Sequence, residues 1–328
     1  MTAPETLPPD LVYYPDDQPG IRRKRCGRGF SYIGPDGTRI DRGTERARLQ
    51  KLAVPPAYEN VWISPLHNGH LQATGMDVRK RKQYRYHPDW SAARSETKFG
   101  ALAEFGRALP AIRRRITRDL SHEAGDRDFA LAAAALLIDR LALRVGNDAY
   151  LKANGSYGAL TLKRQHVRLK DDGLHISFTA KGGKKVRRRV SDRKLQRVLE
   201  RARDLPGAEL LVWVDKHGER HRVGSAELNA YLADASHGVT GVTAKTFRTW
   251  AGTRAAFEAA EGAERLSIKL MAEAAADELG NTPTIARNSY IHPDVLSLAE
   301  ERVTFPPEVE LTGLHAAERR LLAFLERE

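Results

Sequence analysis

The sequence contains only one cysteine, Cys26, among its 328 residues. A single cysteine excludes an internal disulfide framework and any zinc site built from cysteines. Closely spaced histidines occur in "HNGH" at 67–70 and in "HGERH" at 217–221, but no acidic or thiol ligands follow them at useful intervals. We therefore expect neither a metal nor another cofactor.

Long hydrophobic runs are also lacking. The longest apolar stretch, "FALAAAALLI" at 129–138, is too short to cross a bilayer and is mostly alanine, which predicts a buried helix. The first twenty residues are acidic and proline-rich and do not contain the apolar stretch of a signal peptide. We expect a cytoplasmic, nucleoid-associated protein without a membrane partner.

Two enzyme signatures are missing as well. No Walker A motif is present, which predicts activity without ATP, and no GxSxG motif surrounds Ser289. The sequence thus points away from an ATP-dependent enzyme and from a nucleophilic serine at this position.

Acidic residues are too few to balance the basic ones. Lys plus Arg number 54 and Asp plus Glu 42, which gives a formal net charge of +12 and a pI near 9.8. Basic residues are concentrated in four segments: "IRRKRCGR" at 21–28, "VRKRKQYRY" at 78–86, "IRRRITR" at 112–118 and "KGGKKVRRR" at 181–189. The excess favours a polyanionic partner, most simply nucleic acid, over a solvated basic surface. Charge in both halves of the chain would suit a two-part clamp on a phosphate backbone.

The two halves of the chain differ in composition. Residues 1–92 are rich in Gly, Pro and Tyr, with short strand-like runs such as "GFSYIG" and "NVWISP". The rest is dominated by Ala- and Leu-rich segments with helical spacing, interrupted by β-like sequence at 158–190 and near 209–223. We predict an α+β protein with a boundary near 92–96. A small β-rich N-terminal domain would precede a larger, mainly helical domain with a small β-sheet, residues 93–328.

The segment "RKQYRYHPDW" interleaves cations with aromatic rings and one amide. Basic side chains hold phosphates without reading sequence, whereas glutamine can pair with an adenine edge. Gln83, Tyr84 and Tyr86 are therefore candidates for contacts with base edges. The two tyrosines alternate, so a strand would turn both to one side. Aromatic packing on a half-buried strand is the alternative.

The segment "GLHISFTAKGGKK" alternates between apolar and polar residues. Leu174, Ile176, Phe178 and Ala180 would form the apolar face of a strand, and Lys181 continues the polar face. The glycine pair that follows predicts a hairpin with Lys181 at a mobile tip. A solvated turn lysine is the alternative.

The segment "LLIDRLALRVGNDAY" predicts an amphipathic helix with Arg140 and Arg144 one turn apart. Gly146 would end or loosen this helix. Each arginine taken alone is unremarkable.

A second helix is predicted in "VTAKTFRTWAGTRAAF", with Thr243 as its N-cap. Lys245 and Arg248 lie three residues apart and would share one face, while Phe247 and Trp250 would face a core. An arginine on such a face offers a planar fork of donors that suits phosphate oxygens.

A lone tyrosine, Tyr290, stands in the polar segment "NTPTIARNSYIHPD". No apolar periodicity surrounds it, and Pro283 and Pro293 disfavour a continuous helix. A surface tyrosine is the plain interpretation. The helix-breaking residues on either side predict that Tyr290 lies in a loop.

The order of these residues resembles the active-site series of type IB DNA topoisomerases, in particular their poxvirus-like bacterial branch. The series runs through Arg144 in "RVG", Lys181 in "FTAKGG", Lys245 and Arg248 in "KTFR", and Tyr290 in "NTPTIARNSY". The segments "RVGNDAYLKANGSYGALTLKRQHV", "RKQYRYHP" and "VPPAYENVWISP" are also similar to family segments. Each motif is weak, but the ordered set is specific and covers most of the chain. It implies a DNA breaking-rejoining enzyme fold that forms a clamp around duplex DNA.

The resemblance implies a function and a role for each position. Supercoiled DNA would be relaxed by a single-strand break, with Tyr290 as the nucleophile that forms a 3′-phosphotyrosyl bond. Arg144 and Arg248 would clamp the phosphate, and Lys181 would be the general acid for the departing 5′ oxygen. Resealing would be attack by the 5′-hydroxyl on an ester that stays activated, so neither ATP nor metal is required. DNA contacts are further expected from Lys82, Tyr150 and Lys245. We expect a monomer.

One position departs from the viral members of the family. They have a histidine nine residues before the tyrosine, where this sequence has Asn281. Asparagine can donate a hydrogen bond to a non-bridging oxygen but cannot transfer a proton at neutral pH. We therefore expect an electrostatic role for Asn281.

A tyrosine recombinase is the nearest enzymatic alternative, because it shares the arginine–lysine–arginine–tyrosine chemistry. In that family a histidine usually lies three residues before the second arginine, where this sequence has Lys245. The tyrosine-rich N-terminal module also favours the topoisomerase. A non-catalytic DNA-binding protein is the alternative from another class, although the ordered positions would then be a coincidence.

Overall fold

The computed structural model describes residues 7–170, 172–300 and 305–327, except for the side chains at 149, 150 and 153. It divides into two compact units, Met1–Lys98 and Phe99–Glu328. A helix, Pro88–Gly100, runs across this division, and the boundary expected near 92–96 falls inside the same helix. Composition suggested a break after "HPDW", but a proline is tolerated in the first turn of a helix, where no intrahelical N–H bond is lost.

The first unit is built on a five-stranded antiparallel sheet in the order β2-β1-β3-β4-β5. Its elements are β1 (Ile21–Cys26), β2 (Gly29–Ile33), α1 (Thr44–Lys51), β3 (Glu59–Ile63), β4 (Leu71–Met76), β5 (Lys82–Tyr86) and α2 (Pro88–Gly100). The strand-like runs "GFSYIG" and "NVWISP" are confirmed as β2 and β3.

The core of the first unit is small. Its buried side chains come from four strands and from α1: Ile21, Tyr32, Leu49, Val61, Ile63 and Ala73. One arginine of the basic run at residues 21–28 also has a structural role. Arg23 donates to the carbonyl oxygens of Val54, Pro55 and Tyr58 at 2.7, 2.9 and 2.8 Å. This guanidinium is therefore already engaged within the protein.

The second unit is mainly helical and carries two small antiparallel sheets. Its helices are α3 (Leu102–Asp119), α4 (Arg127–Leu141), α5 (Asp148–Asn154), α6 (Arg193–Asp204), α7 (Ser225–Ala235), α8 (Ala244–Glu261), α9 (Ile268–Leu279), α10 (Pro283–Tyr290), α11 (Pro293–Ser297) and α12 (Ala316–Leu325). Its strands are β6 (Val167–Lys170), β7 (Gly173–Thr179), β8 (Lys185–Val190), β9 (Val212–Val214) and β10 (Arg220–Arg222). The α+β fold class is confirmed.

Helix α4 forms the centre of the second unit. Every residue from Phe129 to Ile138 is buried, which confirms the predicted buried helix. Alanine occupies much of this run, so that α3, α6, α7 and α8 can all pack against it. None of the helices in the described ranges combines the length and the apolar character that a membrane span requires.

A buried polar network ties four helices of the second unit together. Arg113 of α3 donates to both carboxylate oxygens of Asp139 at 3.0 Å and of Glu318 at 2.8 Å. Trp250 of α8 donates its indole N–H to the carboxylate of Glu318 at 3.1 Å. Burial would raise the pKa of Glu318, but the bonds from Arg113 lower it to about 2. Because removal of one partner of such a pair costs about 3–5 kcal/mol, the network holds α12 firmly to α3, α4 and α8.

Candidate active site

Tyr290 is the last residue of helix α10, so the expectation that it lies in a loop is wrong. Pro283 occupies the first turn of α10, and Pro293 begins the next helix, α11. Both prolines therefore start helices instead of breaking one. The N-cap residue Thr282 accepts from the backbone N–H of Ile285 at 3.4 Å. Tyr290 is half-buried at the end of this short helix.

The backbone of Tyr290 is held against helix α8. Thr253, which is fully buried, donates its hydroxyl to the carbonyl oxygen of Tyr290 at 3.1 Å and accepts from the N–H of His292 at 3.1 Å. A Cβ at Gly252 would lie only 2.9 Å from the Tyr290 carbonyl oxygen and 2.8 Å from a methyl carbon of Leu279. Only glycine lets the segment that carries Tyr290 approach α8 this closely.

Arg144 lies beyond helix α4. The helix ends at Leu141, because Ala142 adopts a left-handed conformation with φ of 47°. The prediction that Arg140 and Arg144 share a helix one turn apart is therefore wrong, and Gly146 does not end that helix.

Two glycines let the chain pass closely behind Arg144. Gly146 has a φ of 88°, and a Cβ at Gly158 would lie 2.5 Å from both the Arg144 carbonyl oxygen and the Gly146 nitrogen. The Arg144 carbonyl accepts from the N–H of Ala159 at 2.8 Å. The backbone of Arg144 is thus fixed by residues that follow it in sequence.

Arg144, Arg248 and Asn281 form one group, which we call the arginine–asparagine cluster. Arg144 donates to Asn281 Oδ1, and Arg248 donates to the same oxygen at 3.4 Å. Arg248 also donates to the carbonyl oxygens of Ala142 and, at 3.2 Å, of Leu279. Its guanidinium carbon lies 5.1 Å from the centre of the Tyr290 ring. The structure therefore brings together Arg144, Arg248 and the segment that carries both Asn281 and Tyr290, which are widely separated in sequence.

The cluster orients the amide of Asn281. Because two guanidiniums donate to Oδ1, the amide nitrogen Nδ2 is the group that remains to donate. Asn281 Nδ2 and Arg248 Nε are both buried and have no hydrogen-bond partner among the described residues. Buried donors of this kind are uncommon in folded proteins and favour an anionic ligand.

Arg248 is only 3% exposed, although it carries a charge. Burial lowers its pKa; the phenol of Tyr290 opposes this shift, and the neighbouring Arg144 adds to it. Within the described ranges, neither Arg144 nor Arg248 forms an ion pair with a carboxylate. The cluster therefore concentrates positive charge that only neutral oxygens contact.

Lys181 lies in the hairpin between β7 and β8, which confirms the predicted turn. It begins a 3₁₀ turn, Lys181–Gly183, and is exposed. The alternating pattern is confirmed too, since Leu174, Ile176 and Phe178 are all buried. The hairpin contacts the cluster through Lys184, whose Nζ donates to the backbone carbonyl of Asn281 at 3.0 Å.

Lys245 and Arg248 have different environments, although both belong to α8. Thr243 is the N-cap, and its N–H donates to the hydroxyl of Thr246 at 3.1 Å. Lys245 in the first turn is exposed, whereas Arg248 one turn later is buried. Phe247 and Trp250 are buried, as predicted for core residues of this helix.

Strand β5 of the first unit places two candidate DNA contacts on one face. Tyr84 and Tyr86 are 42% and 38% exposed, and their rings stack at a centroid distance of 6.1 Å. Gln83 points to the other side of the strand because adjacent residues alternate. Its amide nitrogen donates to Asp77 at 3.1 Å. The two tyrosines and Gln83 therefore do not share a surface.

The cations that precede these tyrosines are already paired. Lys80 pairs with Glu59, Arg81 with Asp77 at 2.7 Å, and Lys82 with Asp16 at 2.5 Å. We call Lys80, Arg81 and Lys82 the basic segment. The bonds from Arg81 lower the pKa of Asp77 to about 2, so this carboxylate stays charged at neutral pH. A phosphate at the basic segment would compete with carboxylates.

Tyr150 is a predicted DNA contact, but its side chain lies outside the described residues. Two carboxylates do lie close to a histidine of "HGERH": Asp215, which precedes the motif, and Glu219, which lies within it, converge with His221 of β10. Asp215 accepts from the N–H groups of His217 and Glu219 at 2.9 Å each and from His221 Nε2 at 2.8 Å. These bonds account for the cluster as part of the turn.

Comparison with known proteins identifies the family. Residues 29–77 match the model of the N-terminal domain of bacterial DNA topoisomerase IB. Residues 82–281, more than half of the chain, match the model of the catalytic core of eukaryotic DNA topoisomerase I. The chain belongs to the type IB DNA topoisomerases.

Viral relatives agree with this assignment. The topoisomerase is 27% identical over 235 residues to DNA topoisomerase 1B of Acanthamoeba polyphaga mimivirus, covering 70% of this chain and 69% of the relative. It is 24% identical over 266 residues to DNA topoisomerase 1B of vaccinia virus (strain Copenhagen) and to DNA topoisomerase I of monkeypox virus, covering 77% of this chain and 82% of each relative. The family resemblance read from the sequence is confirmed, and with it an isomerase that acts on DNA.

Several residues that shape the site of this topoisomerase carry no chemical role in the motif series, although Gly146 and Gly158 stand within its quoted segments. Gly252 and Thr253 support the Tyr290 backbone, while Gly146 and Gly158 support that of Arg144. A local signal existed for the first pair, since "WAGTRAAF" contains a glycine inside a strongly helical pattern, and such a glycine often marks close packing. No comparable signal marks the backbone carbonyls of Ala142 and Leu279, which Arg248 binds.

Proposed function

We propose that this type IB topoisomerase relaxes supercoiled duplex DNA by cutting one strand with Tyr290 and resealing it. The phenolic oxygen of Tyr290 attacks the phosphorus atom, and the bond from phosphorus to the 5′ oxygen breaks. The product is a 3′-phosphotyrosyl ester and a free 5′-hydroxyl. Resealing is the reverse attack by that hydroxyl, so the reaction needs neither ATP nor a metal ion.

The arginine–asparagine cluster supports this assignment most directly. Charge develops on the non-bridging oxygens in the transition state, and preorganised cations and donors stabilise it. Arg144 and Arg248 supply guanidiniums that are not neutralised by carboxylates among the described residues. Arg248 also lies 5.1 Å from the Tyr290 ring, so the same cation is near the nucleophile and its target. We assign Asn281 the role of a hydrogen-bond donor to a non-bridging oxygen.

Lys181 is the proposed general acid. The departing 5′ oxygen is a poor leaving group, and a positioned proton donor contributes about 10²–10⁴-fold to such steps. The hairpin that carries Lys181 contacts Asn281 through Lys184, which supports a place beside the reacting phosphate. Viral members of the family have a histidine at the position of Asn281. Because asparagine cannot transfer a proton at neutral pH, Lys181 would be the proton donor without help from that position.

DNA contacts are proposed on both units, as a clamp around the duplex would require. In the first unit, Tyr84 and Tyr86 offer exposed stacked rings, and Lys82 lies over the Tyr84 ring at 5.4 Å. Gln83 could contribute only from the other side of the strand. In the second unit we propose Lys245, which is exposed in the first turn of α8, and Tyr150. We further propose a monomer that acts in the cytoplasm on the nucleoid.

The two rival functions are less well supported. A tyrosine recombinase would use similar chemistry, but both family matches and the viral relatives are topoisomerases. A non-catalytic DNA-binding protein would not need the buried guanidinium of Arg248 next to a tyrosine, because burying a charge is costly.

Supercoiled plasmid offers a direct test. The protein is incubated with the plasmid in EDTA without ATP, and detergent is added to trap any covalent adduct. We expect relaxed topoisomers and a protein–DNA adduct joined through a 3′ phosphate. Strand exchange between two sites would indicate a recombinase, whereas binding without relaxation or adduct would indicate a non-catalytic protein.

A further inference from the structure

Strand β8 presents two different faces next to the active site. Val186, Arg188 and Val190 are partly or fully buried, and the residues between them are exposed. Lys184, immediately before the strand, is exposed, but it lies two residues before Val186 and four before Arg188, so its side chain projects from the same side of the strand. Two cations, Lys184 and Arg188, therefore lie on the side of the hairpin that faces the protein.

Arg188 binds the C-terminal end of helix α9. Its Nη2 donates to the carbonyl oxygens of Asp277 and Glu278 at 2.9 and 2.7 Å. The last carbonyls of a helix lack the usual intrahelical partner, and the helix dipole favours a cation at this end. The bond therefore fastens the hairpin to the helix that precedes Asn281.

Lys184 fastens the tip of the same hairpin. Its Nζ donates to the carbonyl oxygen of Asn281 at 3.0 Å. Its own carbonyl accepts from the N–H of Ala180 at 2.8 Å, which closes the short loop that contains Lys181. One residue thus connects the loop of the proposed general acid to the backbone of the amide that both arginines bind.

We propose that Lys184 and Arg188 are positioning residues for DNA cleavage. They hold the β7–β8 hairpin against the end of α9 and thereby keep Lys181 at a fixed position relative to the arginine–asparagine cluster. The inference rests on the proposed roles of Lys181 and Asn281. It requires neither Lys184 nor Arg188 to contact DNA.

The expected defect is specific to proton transfer. A general acid works only when it lies within hydrogen-bond reach of the atom it protonates, and a misplacement of about 1 Å can cost about 10²-fold. Arg144 and Arg248 are held by other bonds, so their contribution should persist when the hairpin loses an anchor.

The test compares two leaving groups in single-turnover cleavage. One duplex has the ordinary 5′ oxygen at the scissile phosphate, and the other has a 5′-bridging sulfur, which leaves without a proton. Lys184→Met and Arg188→Met should each slow cleavage of the ordinary duplex by up to about 10²-fold, while cleavage of the sulfur duplex stays near the parent rate. Lys184→Arg, which keeps a cationic donor, should recover most of the loss.

Arg187→Met is the matched control. It removes one positive charge from the same strand but from the exposed face, so any effect should be equal on the two duplexes. Thermal unfolding of each variant shows whether it is folded, and Lys184→Gln replaces Lys184→Met if the latter is not.

Three results would overturn the inference: parent rates on the ordinary duplex, equal losses on both duplexes, or the same selective loss in Arg187→Met. Lys181→Ala separates this failure from failure of the proposed function. If Lys181→Ala itself shows no recovery on sulfur, the role of Lys181 is wrong; if it does recover and the two anchor variants do not, only the positioning role is wrong.

Discussion

Positive charge is held in opposite ways in two regions of this topoisomerase. In the arginine–asparagine cluster of the second unit, Arg144 and Arg248 contact no carboxylate among the described residues. Their partners are an amide oxygen, backbone carbonyls and, for Arg248, the phenol of Tyr290. In the basic segment of the first unit, Lys80, Arg81 and Lys82 each pair with a carboxylate. Arg248 is buried and Arg144 is partly buried, whereas the three cations of the basic segment are exposed.

The difference separates two tasks that composition alone treats as one. A buried cation without a carboxylate partner attracts a phosphate strongly and costs stability in return, because its charge is poorly solvated. An exposed cation that exchanges a carboxylate for a phosphate gains little, since exposed ion pairs contribute only about 0–1 kcal/mol. We infer that the cluster serves the chemical step and the basic segment serves weak, salt-sensitive docking.

The largest effect is expected from Tyr290→Phe. The change keeps the ring beside Arg248 but removes the attacking oxygen, so plasmid relaxation and the covalent adduct should both vanish. Non-covalent DNA binding should persist, as measured by gel shift. An adduct that still forms in this variant would remove Tyr290 from the mechanism.

Lys181→Ala should slow cleavage of ordinary DNA by about 10²–10⁴-fold, because the 5′ oxygen would leave without its proton. Single-turnover cleavage of a duplex with a 5′-bridging sulfur should recover much of the rate. Equal defects on both duplexes would mean that Lys181 only holds phosphate.

Asn281→Ala should cost about 2.7–4 kcal/mol of transition-state stabilisation, or about 10²–10³-fold, by analogy with removing one oxyanion donor. The change also removes the oxygen that orients Arg144 and Arg248. Single-turnover cleavage measured from about pH 5 to 9 gives the effect.

Asn281→His is the informative counterpart, because a neutral imidazole can accept from a guanidinium and still donate to phosphate. It should remain active at high pH and lose activity as the pH falls through about 6.5, since protonation removes the acceptor. Cleavage by Asn281→Ala at the parent rate would place Asn281 outside the active site.

Gly252→Ala should weaken the site without touching a charged group. The new Cβ would overlap the carbonyl of Tyr290 and a methyl group of Leu279, and overpacking of this kind costs about 1–3 kcal/mol. We expect slower cleavage with unchanged DNA affinity. Gly100→Ala is the control, because nothing lies within 4 Å of a Cβ at that position. Equal behaviour of the two variants would show that the close approach of α8 to Tyr290 is unimportant.

The smallest effect is expected from replacing Lys80, Arg81 and Lys82 together by alanine. Each full phosphate contact contributes about 0.9 to the slope of log affinity against log salt. Because these cations already have carboxylate partners, the decrease in the slope should be smaller than the decrease expected for the loss of three full phosphate contacts. Arg79→Ala is the comparison, since this exposed arginine forms no ion pair among the described residues. An unchanged slope in the triple variant would move the DNA surface away from the basic segment.

Much of the secondary structure could be predicted because it depends on short-range patterns. The alternation from Leu174 to Ala180 identified a strand, the glycine pair after it identified the hairpin, and the apolar run from Phe129 to Ile138 identified a buried helix. The ends of the helices were harder to predict from the sequence. Ala142 takes a left-handed conformation that its residue type does not suggest, and Pro283 starts a helix where a break was expected.

The candidate site was predictable as a set of residues but not as an arrangement. Tyr290, Arg144, Arg248 and Lys181 followed from their order along the chain. The burial of Arg248, the engagement of Gln83 by Asp77 and the carboxylate partners of the basic segment did not. These features depend on partners from other segments, which a motif does not name.

The sequence by itself determined which chemistry is available: a tyrosine that can attack, a lysine that can give up a proton, and an asparagine that can donate but not transfer one. Those properties belong to a side chain wherever it lies. Only the tertiary structure decided which cations are neutralised and which are not. Arg144 meets Asn281 across 137 positions of sequence, and Lys82 meets Asp16 in another part of the chain. Contacts between residues so far apart in sequence arise when separate elements pack together, so local patterns do not encode them.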